Sequence, residues 1–199
     1  MEEYEIPLVD RSGRVSGYGD RWLSHTVSGS TGNLILGQKH VGITIACIDH
    51  KNRILLEHRK HKIFDKTWSL SGDTHPRKYR SREVETLSEA SSRCASEDLG
   101  VRIEKWVPTL TVSYSAPDPR NSTYCENELL SVMVARYEGE LNMNAENAYD
   151  LVWEDMQEIR AESLDDLRKR PADRKYAPWV HAIFTLPYEE VQKAFSIKQ

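Results

Sequence analysis

Between Val41 and His58 the chain carries the alternation that a β-sheet requires. Val41, Ile43, Ile45 and Cys47 stand two residues apart, which places them on one face of an extended segment. Asp49-His50-Lys51-Asn52 supplies turn residues, and Arg53 to His58 returns as a second strand. A β-hairpin is predicted here, and any fold has to be built around it. The period then changes. Between Tyr79 and Leu99 the apolar residues Val84, Leu87, Ala90 and Cys94 recur every three or four positions, the pattern of a helix with one buried face. Glu85, Glu89, Arg93 and Glu97 lie largely off that face, and Gly100 ends the helix as a C-terminal cap.

The flanking segments add strands before and helices after. Tyr4 to Val9 reads as a strand, Asp10 to Gly13 as a turn, and a short run around Val15 as its partner. Ser28 to Gly37 is rich in Ser, Gly and Asn and reads as an irregular loop. Trp106 to Tyr114 alternates as a strand, Ser115 to Thr123 reads as a loop, and Glu128 to Tyr137 is a strand begun by Cys125-Glu126-Asn127. A last short strand is expected at Leu151 to Trp153, then helices over Met156 to Lys169 and Pro178 to Phe195, with Arg168 to Pro171 a solvated connection. Strands, a helix, more strands and closing helices make an α+β protein. With no internal repeat and no long linker, residues 1–199 are expected to form a single domain.

Composition narrows the function. A net charge of -4 and a pI near 6.0 give no overall basic field, so nucleic acid is not an expected partner. Cys47, Cys94 and Cys125 are odd in number and widely spaced, which suggests neither a disulfide framework nor a zinc-thiolate site. Reduced thiols point to the cytoplasm. The acidic start Met-Glu-Glu-Tyr-Glu-Ile does not resemble a leader, and no run approaches about 20 apolar residues. A soluble protein with no membrane partner is expected; nothing sets an oligomeric state.

Chemistry concentrates in a few places. In Trp68 to Pro76, an extended backbone would turn Asp73 and His75 to one side, and Gly72 would let the backbone approach a ligand. Glu126 and Glu128 would likewise share one face of their strand, presenting two carboxylates together; the alternative is an edge strand with its charges in water. Arg59-Lys60-His61-Lys62 is a basic run suited to an anion or to solvent. His25 and His40 flank the Ser28 to Gly37 loop.

Glu85, Arg93, Glu97, Asp98, Gly100 and Val101 follow much of the spacing of the Nudix box, G-x5-E-x7-R-E-U-x-E-E-x-G-U. Tyr79 stands at the first Gly, Cys94 at the first Glu of the Arg-Glu pair, and Asp98 at the last Glu. From about residue 5 to residue 185 the chain resembles the type I isopentenyl-diphosphate isomerases, a branch of the Nudix fold. The resemblance rests on Ser-His-Thr at 24–26, Lys-His-Val-Gly at 39–42, Trp68 with Thr-His-Pro at 74–76, and Glu-Asp-Leu-Gly-Val at 97–101. Tyr114, Glu-Asn-Glu at 126–128 and Ala-Pro-Trp at 177–179 complete it.

The resemblance implies mixed β-sheets sandwiched by helices, and a divalent ion (Mn, Zn or Mg) held by His25, His40, His75, Glu126 and Glu128. Such a donor set suits five- or six-fold coordination better than a closed four-ligand structural site. It further implies a Mg ion with the substrate diphosphate near Asp98 and Glu97, and diphosphate contacts from Arg21 and the Lys60 to Lys62 run. The loop from Ser28 to Gly37 would fold over the site. In catalysis Glu128, assisted by Tyr114, and Asp73, which replaces the family's cysteine, would be the acid/base groups, with Trp179 facing a carbocation-like state. The expected reaction is double-bond isomerisation of isopentenyl diphosphate or a related prenyl-type diphosphate. A Nudix-type diphosphate hydrolase and a non-catalytic metal-binding homologue are the alternatives.

Overall fold

A computed structural model describes residues 3–30 and 33–197. The first half of the chain forms β1 (Tyr4–Val9), β2 (Val15–Asp20), α1 (Arg21–Ser24), β3 (Ser28–Ser30), β4 (Asn33–Ile35), β5 (His40–Ile48) and β6 (Arg53–Arg59). The short strands β7 (Trp68–Ser69), β8 (Gly72–Thr74) and β9 (Lys78–Tyr79) precede α2 (Leu87–Leu99). Then come β10 (Val107–Pro117), β11 (Cys125–Arg136), β12 (Ala148–Asp155), α3 (Met156–Asp166), α4 (Pro178–Phe184) and α5 (Tyr188–Phe195).

Among the described residues, ten strands join one mixed sheet whose main path runs β10-β11-β5-β1-β2. Its centre is the parallel pair β11 and β5, in register from Glu128 opposite His40 to Arg136 opposite Ile48. Strands in parallel pairs are commonly covered on both faces, and this one is. Ile43, Ile45 and Cys47 of β5, with Met133 and Ala135 of β11, pack with Cys94, Ala95 and Leu99 of α2. The intervening Ala46 and Ile48, with Leu130, Val132 and Val134, pack with Trp179, Val180 and Phe184 of α4 and Phe195 of α5. Each fully buried Leu, Ile or Phe contributes about 1.5–3 kcal/mol. The sheet is thus sandwiched between α2 and the C-terminal helices, and the Glu126–Glu128 strand is central rather than an edge.

Both strands of the predicted hairpin form, but they barely pair with each other. Ile48 opposite Ile54 is their shared register position, after which they diverge. The segment after β6 enters the gap: β7 pairs with β6, and β8 pairs with β5. At its centre the Ser71 hydroxyl accepts from the Cys47 N–H and donates to the Leu55 carbonyl, both at 2.8 Å. Alternation fixes which face a side chain takes and is silent on which strand lies alongside.

Other boundaries differ for local reasons. The helix starts at Leu87 and not near Tyr79, because Thr86 and Glu89 form a capping box. Gly72 makes room for α2 itself, since a Cβ there would lie 3.0 Å from the Cys94 Sγ. Ser28 to Gly37, expected to be irregular, contains the β3–β4 hairpin with Ser28 opposite Ile35; positions 31 and 32 of that stretch lie outside the described residues. Arg21 to Ser24, which shows no period, is a short helix capped by Asp20. Strand β10 runs on to Pro117, and the last helical stretch is broken in two, with Pro187 capping α5. No helix among the described residues is long and apolar enough to cross a membrane.

The capping box yields a stability prediction. Thr86→Ala removes the acceptor for the Glu89 N–H and should cost about 1 kcal/mol, lowering Tm by about 2–4 °C. Calorimetry checks this, and an unchanged Tm would show that the box contributes nothing to α2.

Candidate metal and catalytic site

The five predicted ligands come from four elements, and backbone pairing brings them together. His25 caps the C-terminus of α1, and its carbonyl accepts from the Cys125 N–H at 2.8 Å, tying it to the start of β11. His40 opens β5 directly opposite Glu128. His75 follows β8, held by its Nδ1–H on the Val41 carbonyl at 2.9 Å. The imidazole centroids of His25, His40 and His75 lie 4.4 to 5.0 Å apart. His25 Nε2 is 3.1 Å from Glu126 Oε2, while His40 Nε2 is 3.8 Å from that oxygen and 3.5 Å from Glu128 Oε1. All five side chains are buried.

Several observations fit a divalent cation among these groups. Each imidazole gives its Nδ1–H to a backbone carbonyl, at 2.6 Å to Arg21, 2.8 Å to Gln38 and 2.9 Å to Val41, which leaves Nε2 with its lone pair. That outer arrangement orients metal-binding histidines. His40 Nε2 and Glu126 Oε2 are buried without a hydrogen-bond partner among the described residues. One donor atom each from His25, His40, His75 and Glu128 falls within 4.8 Å of the others, and Glu126 adjoins them. The imidazoles differ in their electrostatics. Burial holds the His75 imidazole well below its usual range, helped by His40, His25 and Arg21. Burial opposes ionisation of both His25 and Glu126, but their mutual attraction outweighs it, raising His25 and lowering Glu126.

The same cavity, of about 240 Å³, continues towards the diverging strands and takes in Glu57 and Arg59 of β6 and Asp73 of β8. Tyr114 donates to Glu128 Oε2 at 2.5 Å, and burial together with the nearby carboxylates keeps its phenol protonated. Asp73 Oδ2 accepts from Arg59 Nη1 at 2.6 Å and from Ser69 Oγ at 2.5 Å, and its Oδ1 has no partner. Burial pushes the Asp73 carboxyl up to about 6, against the pull of Arg59 and Ser69. Trp179 lines the cavity, gives its indole N–H to Ser69 Oγ at 2.8 Å, and carries the Arg59 guanidinium 4.8 Å from its ring centre.

The remaining predicted residues divide. Arg21 lines the cavity, bonded to the Tyr4 hydroxyl and to His61 at 3.2 Å each. Lys60 and Lys62 do not line it. The Lys60 ammonium donates to the Ala145 carbonyl at 2.8 Å, and that of Lys62 lies 4.6 and 4.7 Å from the rings of Trp22 and Tyr124. The cations in the wall are Arg21, Arg59 and Arg77 instead. Glu97 and Asp98 line the cavity with their oxygens already engaged. Arg77 and Arg93 hold Glu97, while Asn147 at 2.6 Å and the Cys94 thiol at 3.1 Å hold Asp98. Sequence reasoning missed Glu57 and read Arg59 only as part of a basic run, although strand period could have turned both inward: Leu55, Glu57 and Arg59 share a face and all are buried.

Comparison with known proteins agrees with this architecture. No protein-family model matches the chain. An isopentenyl-diphosphate Delta-isomerase 1 of Aromatoleum aromaticum is 29% identical over 182 residues, covering 90% of each chain. Among solved structures, the Deinococcus radiodurans protein DR0079 superposes with a TM-score of 0.62 at 15% identity, over 92% of this chain and 99% of its own. A Nudix hydrolase of M. smegmatis, RenU, gives 0.51 at 17% identity, over 87% and 98%. The MutT protein of Methanosarcina mazei gives 0.52 at 13% identity, over 74% and 91%. The chain therefore has the Nudix fold, in the α+β class expected from its sequence.

Gly42 offers a direct test of the ligand set. A Cβ at Gly42 would fall 2.4 Å from the Glu128 carboxylate, so Gly42→Ala should push Glu128 away from the histidines. Manganese affinity measured by equilibrium dialysis should drop about 10- to 100-fold with the fold intact. Unaltered affinity would remove Glu128 from the ligands.

Proposed function

We propose that this protein is a divalent-metal-dependent enzyme that moves the double bond of isopentenyl diphosphate, or a related prenyl-type diphosphate, by adding one proton and removing another. The observation that carries the reading is the convergence of His25, His40, His75, Glu126 and Glu128 at the edge of a cavity that Tyr114 and Asp73 also line. The isomerase relative from Aromatoleum aromaticum, matched along most of its length, supports it.

When bound by the histidines and glutamates, the ion would supply the positive charge that keeps the Glu126 and Glu128 carboxylates ionised in a buried place. Glu128, steadied by the Tyr114 hydroxyl, is the group that takes a proton from the substrate. Asp73 gives a proton from the other wall; a carboxyl near 6 exchanges protons readily around neutral pH. Arg21 and Arg77 provide charge for the diphosphate, and Asp98 and Glu97, on release from the Asn147, Cys94 and arginine bonds that hold them, would be the residues to receive a magnesium ion carried with it. The free, buried Cys47, Cys94 and Cys125 suit a reducing compartment, in keeping with a cytoplasmic enzyme.

One observation favours a second reading, a Nudix-type hydrolase. Arg59 lies on the Trp179 face and pairs with Asp73, so a fixed cation occupies the place where isomerisation would develop positive charge. A guanidinium there suits the anionic transition state of water attacking a diphosphate.

One incubation separates the two. With isopentenyl diphosphate and manganese in deuterated water, deuterium in the recovered alkene supports isomerisation, whereas released phosphate supports hydrolysis. Asp73→Asn should lower deuterium incorporation at least about 100-fold while metal content and diphosphate binding hold. Full activity would exclude Asp73 as proton carrier, and loss of metal would make it a ligand.

A further inference from the structure

We infer that the organic part of the substrate carries a hydroxyl as well as its diphosphate, and that Glu57 on the cavity wall is the residue that reads it. The inference rests on the diphosphate reading of the site and goes on to specify the organic group. Glu57 is 4% exposed, lines the cavity, and has no hydrogen-bond partner at Oε2 among the described residues. A glutamate buried for structural reasons would have that oxygen satisfied within the chain.

Three of the four neighbouring carboxylate oxygens on Asp98 and Asp73 are satisfied. Asp98 is held at both oxygens by Asn147 and Cys94, and Asp73 Oδ2 by Arg59 and Ser69. Two acceptors on this wall stay open, Glu57 Oε2 and Asp73 Oδ1. A bare hydrocarbon packed there would shut both away from water without replacing it. The lining is also short of apolar surface. Ile43, Leu130 and Trp179 are its aliphatic and indole members, and the Trp179 face is already covered by Arg59.

A hydroxyl fits better than other polar groups. It both donates and accepts, so it pairs with a carboxyl in either protonation state. Among the described residues Glu57 is not part of the donor group of His25, His40, His75 and Glu128, and the metal content of a Glu57 variant separates a ligand role from the reading of a hydroxyl. The cavity of about 240 Å³ is smaller than the about 300–1,000 Å³ of pockets for drug-sized ligands, so the organic part is short.

The test uses the manganese-loaded full chain and three probes: isopentenyl diphosphate, the same five-carbon diphosphate bearing a terminal hydroxyl, and inorganic diphosphate. Calorimetry on the wild type should show the hydroxylated probe binding at least about 100-fold tighter than isopentenyl diphosphate, since a site built to pair a hydroxyl rejects the analogue that lacks it. Glu57→Leu should bring the preference below about tenfold without changing manganese content or the affinity for inorganic diphosphate. If that variant fails to fold, Glu57→Met keeps the length without a hydrogen-bonding group and should likewise bring the preference below about tenfold. Equal binding of the two organic probes by the wild type overturns the proposal, as does an undiminished preference in the variant. Loss of manganese from the variant would make Glu57 a metal ligand and overturn it too. If even inorganic diphosphate does not bind the wild type, the diphosphate reading itself fails and takes this one with it.

Discussion

The Ser71 hydroxyl, bridging the Cys47 N–H and the Leu55 carbonyl, takes the place of a backbone ladder between β5 and β6. A side chain can satisfy these two groups while keeping the strands farther apart than direct pairing allows. Leaving either unpaired in the core would cost about 1–3 kcal/mol, so the spacing is enforced. Because the strands part, β7 and β8 fit between them, and β8 delivers Asp73 and His75 to the cavity. The candidate site follows from that one hydroxyl more than from any single ligand.

Within the cavity the two walls are electrostatically different. On the β11 side, imidazoles draw charge onto Glu126 and hold it low. On the β6 and β8 side, burial dominates and raises Glu57, Asp73 and Asp98. Carboxyl groups whose surroundings push them in opposite directions are the usual basis for dividing acid from base roles. Arg59 joins the walls to the hydrophobic core, since one guanidinium contacts both Asp73 and the Trp179 ring.

How much of this was legible in the sequence depended on the kind of signal. Alternation in β5 and β11 was local and strong, so both strands, and the shared face of Glu126 and Glu128, could be read directly. The start of α2 was equally local: Thr86 and Glu89 stand three apart, but the apolar period runs past them through Val84 and drew the helix too early. Lys60 and Lys62 attracted attention as charges, whereas the parity of β6 turns Glu57 and Arg59 inward. His25, His40 and His75 have no local spacing that marks them as partners. Their grouping came from family resemblance, since the long-range pairing that unites them leaves no periodic trace. The parting of β5 and β6 was invisible for a related reason, because it depends on a serine whose importance appears only once two strands flank it.

The parallel pairing of β11 with β5 also bears on how the molecule is assembled. His25 and Cys125, joined by a backbone hydrogen bond, are 100 residues apart in sequence, and the ligands around them come from α1, β5, β8 and β11. Closing loops of that length is slow, and contacts of high sequence separation reward the chain only after the closure entropy has been overcome. No partly folded chain that lacks β11 can present Glu126 and Glu128 to the histidines. An ion held there would bind the finished structure and not its precursors, so it would act as a clasp on the completed sheet, stabilising it the more as free ion becomes available.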